Sequence, residues 1–155
     1  MADKRFKRHI LVLQGANICY QGKRDPSSYG TVTAAEIDQL IYEHARQHNY
    51  EVTIFYTNTE GAAIDRIYQA VNDGVDGLLM NPGAWILSGQ PLKYCLKFVR
   101  LPYVEIHIRN IYKMGCSSIL AEEAVGVVQG FGAKTYLLGL EGLLEAIERG
   151  PFEGS

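Results

Sequence analysis

His9–Gly30, HILVLQGANICYQGKRDPSSYG, starts as an apolar strand and breaks into a polar loop punctuated by glycine. A strand that discharges straight into such a loop is how parallel α/β proteins place chemistry at the carboxyl edge of a sheet. The loop carries Asn17, Arg24 and Tyr29. Arg24 stands five residues before Tyr29. A short loop can therefore hold a guanidinium beside a phenol and favour the phenolate, whose ordinary pKa is roughly 10. Tyr29 is thus a candidate base.

The rest of the chain repeats this strand-then-loop pattern. Apolar runs at His9–Leu13, Glu51–Tyr56, Asp76–Met80, Tyr103–Ile108 and the short stretch Ser117–Leu120 read as strands. Helical spacing fills the intervals. Thr33-Ala34-Ala35-Glu36 is a capping box that opens a helix running to about His48, with Ile37, Leu40, Ile41 and Ala45 as its apolar face. Glu60–Val71, with Ile64, Ile67 and Val71 in register, is the next helix, and Pro91–Phe98 a third. Glu122–Gln129 and Lys134–Glu148 read as two closing helices. Such alternation predicts one α/β domain, a parallel sheet covered on both faces by right-handed crossovers, with ligands at the carboxyl ends of its strands. The domain is expected to span residues 1–155 with its core at 8–149, and Met1–Arg8 and Pro151–Ser155 to be frayed tails.

Composition narrows the function. The 155 residues are 47% apolar and 21% charged, enough for one sizeable core, and carry a net charge of −2. The basic start KRFKR is offset by acids spread along the chain, so no nucleic-acid footprint is expected, and the partner is read as a small molecule. Cys19, Cys95 and Cys116 form no CxxC or Cys/His spacing, which suggests neither a disulfide framework nor a metal site. His9, His44 and His48 show no partner pattern and read as surface or strand-end residues, and Cys116 as a small buried residue. No window reaches the roughly 18 apolar residues of a membrane span, and the start lacks an apolar signal core. A cytoplasmic, reduced protein is expected.

Two further strand ends carry polar groups. Met80-Asn81-Pro82-Gly83 forces a turn that would project the Asn81 amide from the crest of the sheet. In Val104–Arg109 the alternation sends Glu105, His107 and Arg109 to one side. A parallel strand buries both faces, so three polar side chains on one face need either ion pairing or a site, such as a histidine oriented by a carboxylate for general acid catalysis. Trp85, after the turn, can line a pocket or pack beneath a helix.

At these blocks the chain resembles the type II dehydroquinases, over His9 to Ile147. LQGANI and KRDPSSYG are similar to that family's first turn and mobile lid, TNTEG and NPGA to the turns after its second and third strands, VEIHIRN to its Glu-x-His strand, and GVVQGFGAKTYLLGLEGLLEAI to its C-terminal pattern. The resemblance implies a flavodoxin-like three-layer fold with a five-stranded parallel sheet. It also implies dehydration of 3-dehydroquinate, or a related cyclic β-hydroxyketone, through an enolate, without cofactor or metal. In that reading Tyr29 is the base and Arg24 its lid arginine, Asn17 holds the water that stabilises the enolate, and His107 is the acid. Glu105 orients His107, and Asn81, Gly83 and Ile108 bind substrate. A homo-oligomer, trimer or dodecamer, is implied as well.

The chain departs from the family pattern where substrate is held. Leu87 stands at a hydroxyl-binding histidine, Arg109 at a carboxylate-binding serine, and Tyr94 at an aspartate that reaches in from a neighbouring subunit. Gly115 stands at a clamping arginine, and Gln14 and Ala16 at the Asn and Pro of the first turn. Leu87 and Tyr94 add apolar surface, and Arg109 adds a cation able to meet a carboxylated ring. An inactive binding module or a scaffold subunit are the readings from other classes; joint retention of Arg24, Tyr29 and His107 argues against a mere binder.

Overall fold

The computed structural model describes residues 7–150. Five strands, β1 (His9–Gln14), β2 (Glu51–Tyr56), β3 (Gly77–Asn81), β4 (Tyr103–His107) and β5 (Gly126–Gln129), pair in parallel in the order β2-β1-β3-β4-β5. The helices are α1 (Pro26–Tyr29), α2 (Ala34–His48), α3 (Glu60–Asn72), α4 (Trp85–Ser88), α5 (Gln90–Val99) and α6 (Lys134–Arg149). After β2 the winding reverses and crosses to β3 on the other side of β1. This topological switch opens a crevice above the ends of β1 and β3, the place where doubly wound sheets bind ligands.

Alternation along the strands feeds two cores. Ile10 and Val12 pack with Ile37 and Ile41 of α2 and Leu140 and Leu143 of α6. Leu11 and Leu13 pack with Ala63 and Ile67 of α3 and Leu92 and Leu96 of α5. Both faces of the sheet are thereby covered, as a parallel sheet requires. Gly139 lets α6 lie close, since a Cβ there would stand 2.6 Å from Ile106 and 2.8 Å from Leu79.

The capping box forms as expected: Glu36 N–H donates to Thr33 Oγ1 at 3.1 Å, and Thr33 Oγ1 donates to the Glu36 carboxylate. The apolar stripe of α2 is narrower than predicted, because Ile37, Ile41, His44 and Ala45 already fill the contact with the sheet and Leu40 is left exposed. Val71 of α3 is likewise exposed, the buried stripe there being Ala63, Ile67 and Ala70. His44 is not a surface residue. It is buried, with Nδ1 2.7 Å from Tyr50 Oη and Nε2 3.4 Å from Glu141, and burial lowers its pKa. His9, at a strand end, contacts Thr53 Oγ1 at 2.8 Å.

The fifth strand is displaced from its predicted place. Ser117–Leu120 is a loop in which Ile119 N–H donates to the Ile86 carbonyl and Leu120 is buried. The edge strand is instead Gly126–Gln129, paired Val104↔Gly126 through His107↔Gln129. The helix predicted over Glu122–Gln129 is absent; only a single 3₁₀ turn, Ala121–Glu123, precedes β5. Its Val-Gly-Val-Val core favours extended backbone over the weak helical spacing. Of the tails, 1–6 and 151–155 lie outside the described residues. Arg8, assigned to a tail, is tied down by Asp76 at 3.6 Å and Glu148 at 3.1 Å.

Candidate active site

A cavity of about 260 Å³ opens above the carboxyl ends of β1, β3 and β4. Two glycines make the crevice possible. A Cβ on Gly15 would stand 2.7 Å from the Pro82 carbonyl oxygen, and one on Gly83, at φ +56°, 2.7 Å from that of Ala16. The turns after β1 and β3 therefore interlock backbone to backbone, and only glycine fits.

The floor is a hydrogen-bonded network. Glu105, fully buried on β4, accepts from Tyr103 Oη at 2.9 Å and Ser118 Oγ at 2.8 Å through Oε1, while Oε2 lies 3.0 Å from His107 Nε2. A buried carboxylate is tolerable only with such donors. Burial, and then the Glu105 charge, push the Tyr103 phenol well above its ordinary pKa, so it keeps the proton it donates. With the Tyr103 and Ser118 protons directed at the carboxylate, Nε2 of His107 is assigned as the N–H that faces Glu105, leaving Nδ1 as the nitrogen free to exchange a proton. Asn81 is fixed in the same manner. Its Nδ2 donates to Tyr136 Oη at 3.0 Å, and Tyr136 Oη donates to Gln14 Oε1 at 2.8 Å. Burial pushes the Tyr136 phenol up to about 12, keeping this relay protonated.

The rim is the lid. Asn17, in the left-handed region at φ 69°, donates its backbone N–H to Asn58 Oδ1 at 2.8 Å. Asp25 caps α1, accepting from Ser27 N–H at 3.1 Å, and Pro26 supplies the pre-set first residue. Buried Gln21 fastens the lid from inside, donating to the Tyr29 carbonyl at 2.9 Å and accepting from Arg24 Nη2. The Arg24 guanidinium stacks over the Tyr29 ring, 4.0 Å from its centroid, and Arg109 approaches the same ring at 5.4 Å. Burial pulls Arg24 below its ordinary pKa, opposed by Tyr29 and Tyr136.

Nine of the eleven residues singled out from the sequence line this one cavity: Asn17, Arg24, Tyr29, Asn81, Gly83, Leu87, His107, Ile108 and Arg109. Glu105 lies beneath it and acts on it through His107. Tyr94 does not reach it, because α5 buries Leu92, Cys95 and Leu96 and turns Tyr94 outward, where it packs against exposed Phe98 with ring centroids 5.9 Å apart. Trp85 packs in the core rather than the cavity. Cys116, read as a small buried residue, is half-buried and lines the cavity beside Met114. Sequence reasoning also missed Tyr103, Ser118, Gln21 and Tyr136 as supports. Tyr136 and Ser118 reach the site from other elements, so spacing carries no signal for them, whereas Tyr103 precedes Glu105 by two residues on β4 and the alternation that pairs Glu105 with His107 points to it as well. Among the described residues the one set of metal-ligand side chains close enough to share an ion is His44, His48 and Glu141, none of which lines the cavity. No helix of the described residues is long and apolar enough to cross a membrane.

A family model described as "Dehydroquinase class II" matches residues 8–144. The chain is 40% identical over 145 residues to the 3-dehydroquinate dehydratase of Synechococcus sp. (strain CC9902), covering 92% of this chain and 99% of that one. It is 39% identical over 145 residues to the 3-dehydroquinate dehydratase of Alkalilimnicola ehrlichii, covering 92% and 95%. Among solved structures, the type II dehydroquinase of Butyrivibrio crossotus superposes with a TM-score of 0.86 at 30% identity, over 89% of this chain and 98% of that one.

Proposed function

The chain belongs to the class II dehydroquinase family, and from that premise we propose that it is a hydro-lyase converting 3-dehydroquinate to 3-dehydroshikimate through an enolate, with Tyr29 as base and His107 as acid. The observation that carries this reading is that Tyr29, flanked by two guanidiniums, and His107, held by a buried carboxylate, line one cavity.

In the proposed reaction the Tyr29 phenolate takes a proton from the ring carbon beside the ketone. The C–H electrons move to the ketone oxygen, giving an enolate. Arg24 holds the negative charge of the phenolate before transfer, Arg109 faces the substrate, and Asn17 stabilises the enolate oxygen through a held water. As the ketone re-forms, the C–O bond to the β-hydroxyl breaks, and His107 protonates that oxygen so that it leaves as water. Glu105 orients the imidazole, while Asn81, Gly83, Ile108 and Leu87 surround the ring. No cofactor or metal enters these steps. The partner is a small-molecule carboxylated ring, with no nucleic acid or membrane, and the setting is cytoplasmic. A homo-oligomer, trimer or dodecamer, is proposed as well; the exposed Tyr94–Phe98 pair offers apolar surface for a neighbouring copy.

An ultraviolet assay with 3-dehydroquinate follows the conjugated enone that dehydration creates. Turnover is expected in the wild type, with kcat reduced about 10²-fold or more in Tyr29→Phe and His107→Ala while the fold survives. Turnover unchanged in either variant removes that residue from the mechanism, and tight binding without turnover returns the chain to a binding-module reading.

A further inference from the structure

Two guanidiniums open into the cavity, and among the described residues no carboxylate does. Arg24 donates from Nη2 to Gln21, but its buried Nε has no partner among the described residues. Arg109, two residues past β4 and half-buried, has neither ion pair nor hydrogen bond to a described residue and lies over the Tyr29 ring, 5.4 Å from its centroid. The available acids are committed. Asp25, which feels the Arg109 charge, spends its oxygens on Ser27 and Ser28, and Glu105 is saturated by Tyr103, Ser118 and His107. Two like charges sharing a cavity without an internal counter-ion favour an anionic ligand, and the planar fork of Arg109 suits a carboxylate bidentately.

Apart from the polar Asn17, Asn81 and His107, the remaining lining is largely apolar and points to the rest of the ligand. Ile86, Leu87, Ile108, Ile111 and Met114 contribute side chains without a strong hydrogen-bonding group. A ring hydroxyl pressed against them loses its water without gaining a partner, whereas bare ring carbon gains by burial. Resting on the dehydratase reading for the kind of ring, we propose that Arg109 anchors the substrate carboxylate and that the cavity selects a cyclic keto-carboxylate by this charge and its apolar wall, favouring rings with few hydroxyls.

Calorimetric titration with 3-oxocyclohexane-1-carboxylate, its methyl ester and the polyhydroxylated quinate tests the proposal without turnover. The wild type is expected to bind the keto-carboxylate at least as tightly as quinate. Esterification, or Arg109→Gln, is expected to weaken binding of the keto-carboxylate about tenfold or more, with Arg109→Lys in between. Circular dichroism verifies the fold of each variant. Quinate binding about tenfold tighter than the keto-carboxylate, Arg109→Gln leaving its affinity unchanged, or no binding of the keto-carboxylate at all would each overturn it. The dehydratase reading is judged separately by turnover of 3-dehydroquinate. A protein that binds the keto-carboxylate through Arg109 but dehydrates nothing sinks that reading and leaves the anchor standing.

Discussion

Glu105, at the floor of the cavity, is fully buried and meets three side-chain partners, whereas Arg109, at the rim, is half-buried, has no hydrogen-bond or ion-pair partner among the described residues and lies over the face of a tyrosine ring. The same contrast runs through their neighbours. Asn81 is locked through Tyr136 to Gln14, while Leu87 stands 66% exposed at the mouth. A floor whose polar groups are satisfied costs little to keep and holds an imidazole in one orientation before substrate arrives. A rim whose charges and apolar surface are unsatisfied gains when something fills it. The departures from the resembled family do not follow this division, since Arg24 and Tyr29 of the rim keep its residue types and Gln14 of the floor does not; Leu87 and Arg109, the unsatisfied residues at the mouth, are among those that depart.

The strongest way to break this comparison is at Glu105. Glu105→Ala strands the hydroxyls of Tyr103 and Ser118 and the His107 N–H in a buried space. It is expected to cost about 2–4 kcal/mol of stability in urea denaturation, together with most of kcat. Arg24→Ala at the rim should move stability by less than about 0.5 kcal/mol while lowering kcat/KM. Equal losses of stability in both variants would mean that the lid belongs to the core. The hinge between the two regions gives the next effect. Gly83→Ala places a Cβ 2.7 Å from the Ala16 carbonyl oxygen at φ +56°, and about 1–3 kcal/mol should be lost. KM should rise as well, because the turn that carries Asn81 shifts; a stability loss without a change in KM would uncouple the turn from the cavity.

How legible each region was in the sequence follows from the same division. The sheet, α2, α3, α5 and α6 could be read because their apolar periods coincide with what they bury: β2 lies on its predicted bounds and α2 on its capping box. The fifth strand could not, because Gly126–Gln129 is a short edge whose Val127 is exposed, and its register is fixed by β4 rather than by a pattern of its own. Among site residues, those at strand ends or in the lid loop announced themselves, since a polar group at the crest of a buried strand needs a reason. The supports from other elements did not. Tyr136 reaches Asn81 from 55 positions away and Ser118 reaches Glu105 from a loop mistaken for a strand, distances that only the crossovers close.

The smallest expected effect lies in the lid cap and sets the limit of the comparison. Hydrogen bonds from Ser27 and Ser28 hold the Asp25 carboxyl below its ordinary pKa, with a smaller contribution from Arg109. A carboxyl whose folded pKa is depressed stabilises the folded form above its unfolded value, near 4, and loses that stabilisation as pH falls through the lower folded value. Between pH 5 and 8 the cap is therefore constant, and variation of kcat/KM in that range belongs to other groups. Asp25→Ala frees the first turn of a four-residue helix that carries Tyr29 at its end. kcat/KM is expected to fall about threefold. Because α1 buries no side chain in either core, the urea midpoint should stay put while trypsin cleaves faster after Lys23 and Arg24. A lowered midpoint would show that the rim supports the floor it covers, and the division of labour drawn above would then have to be redrawn with the lid as part of the preorganised half.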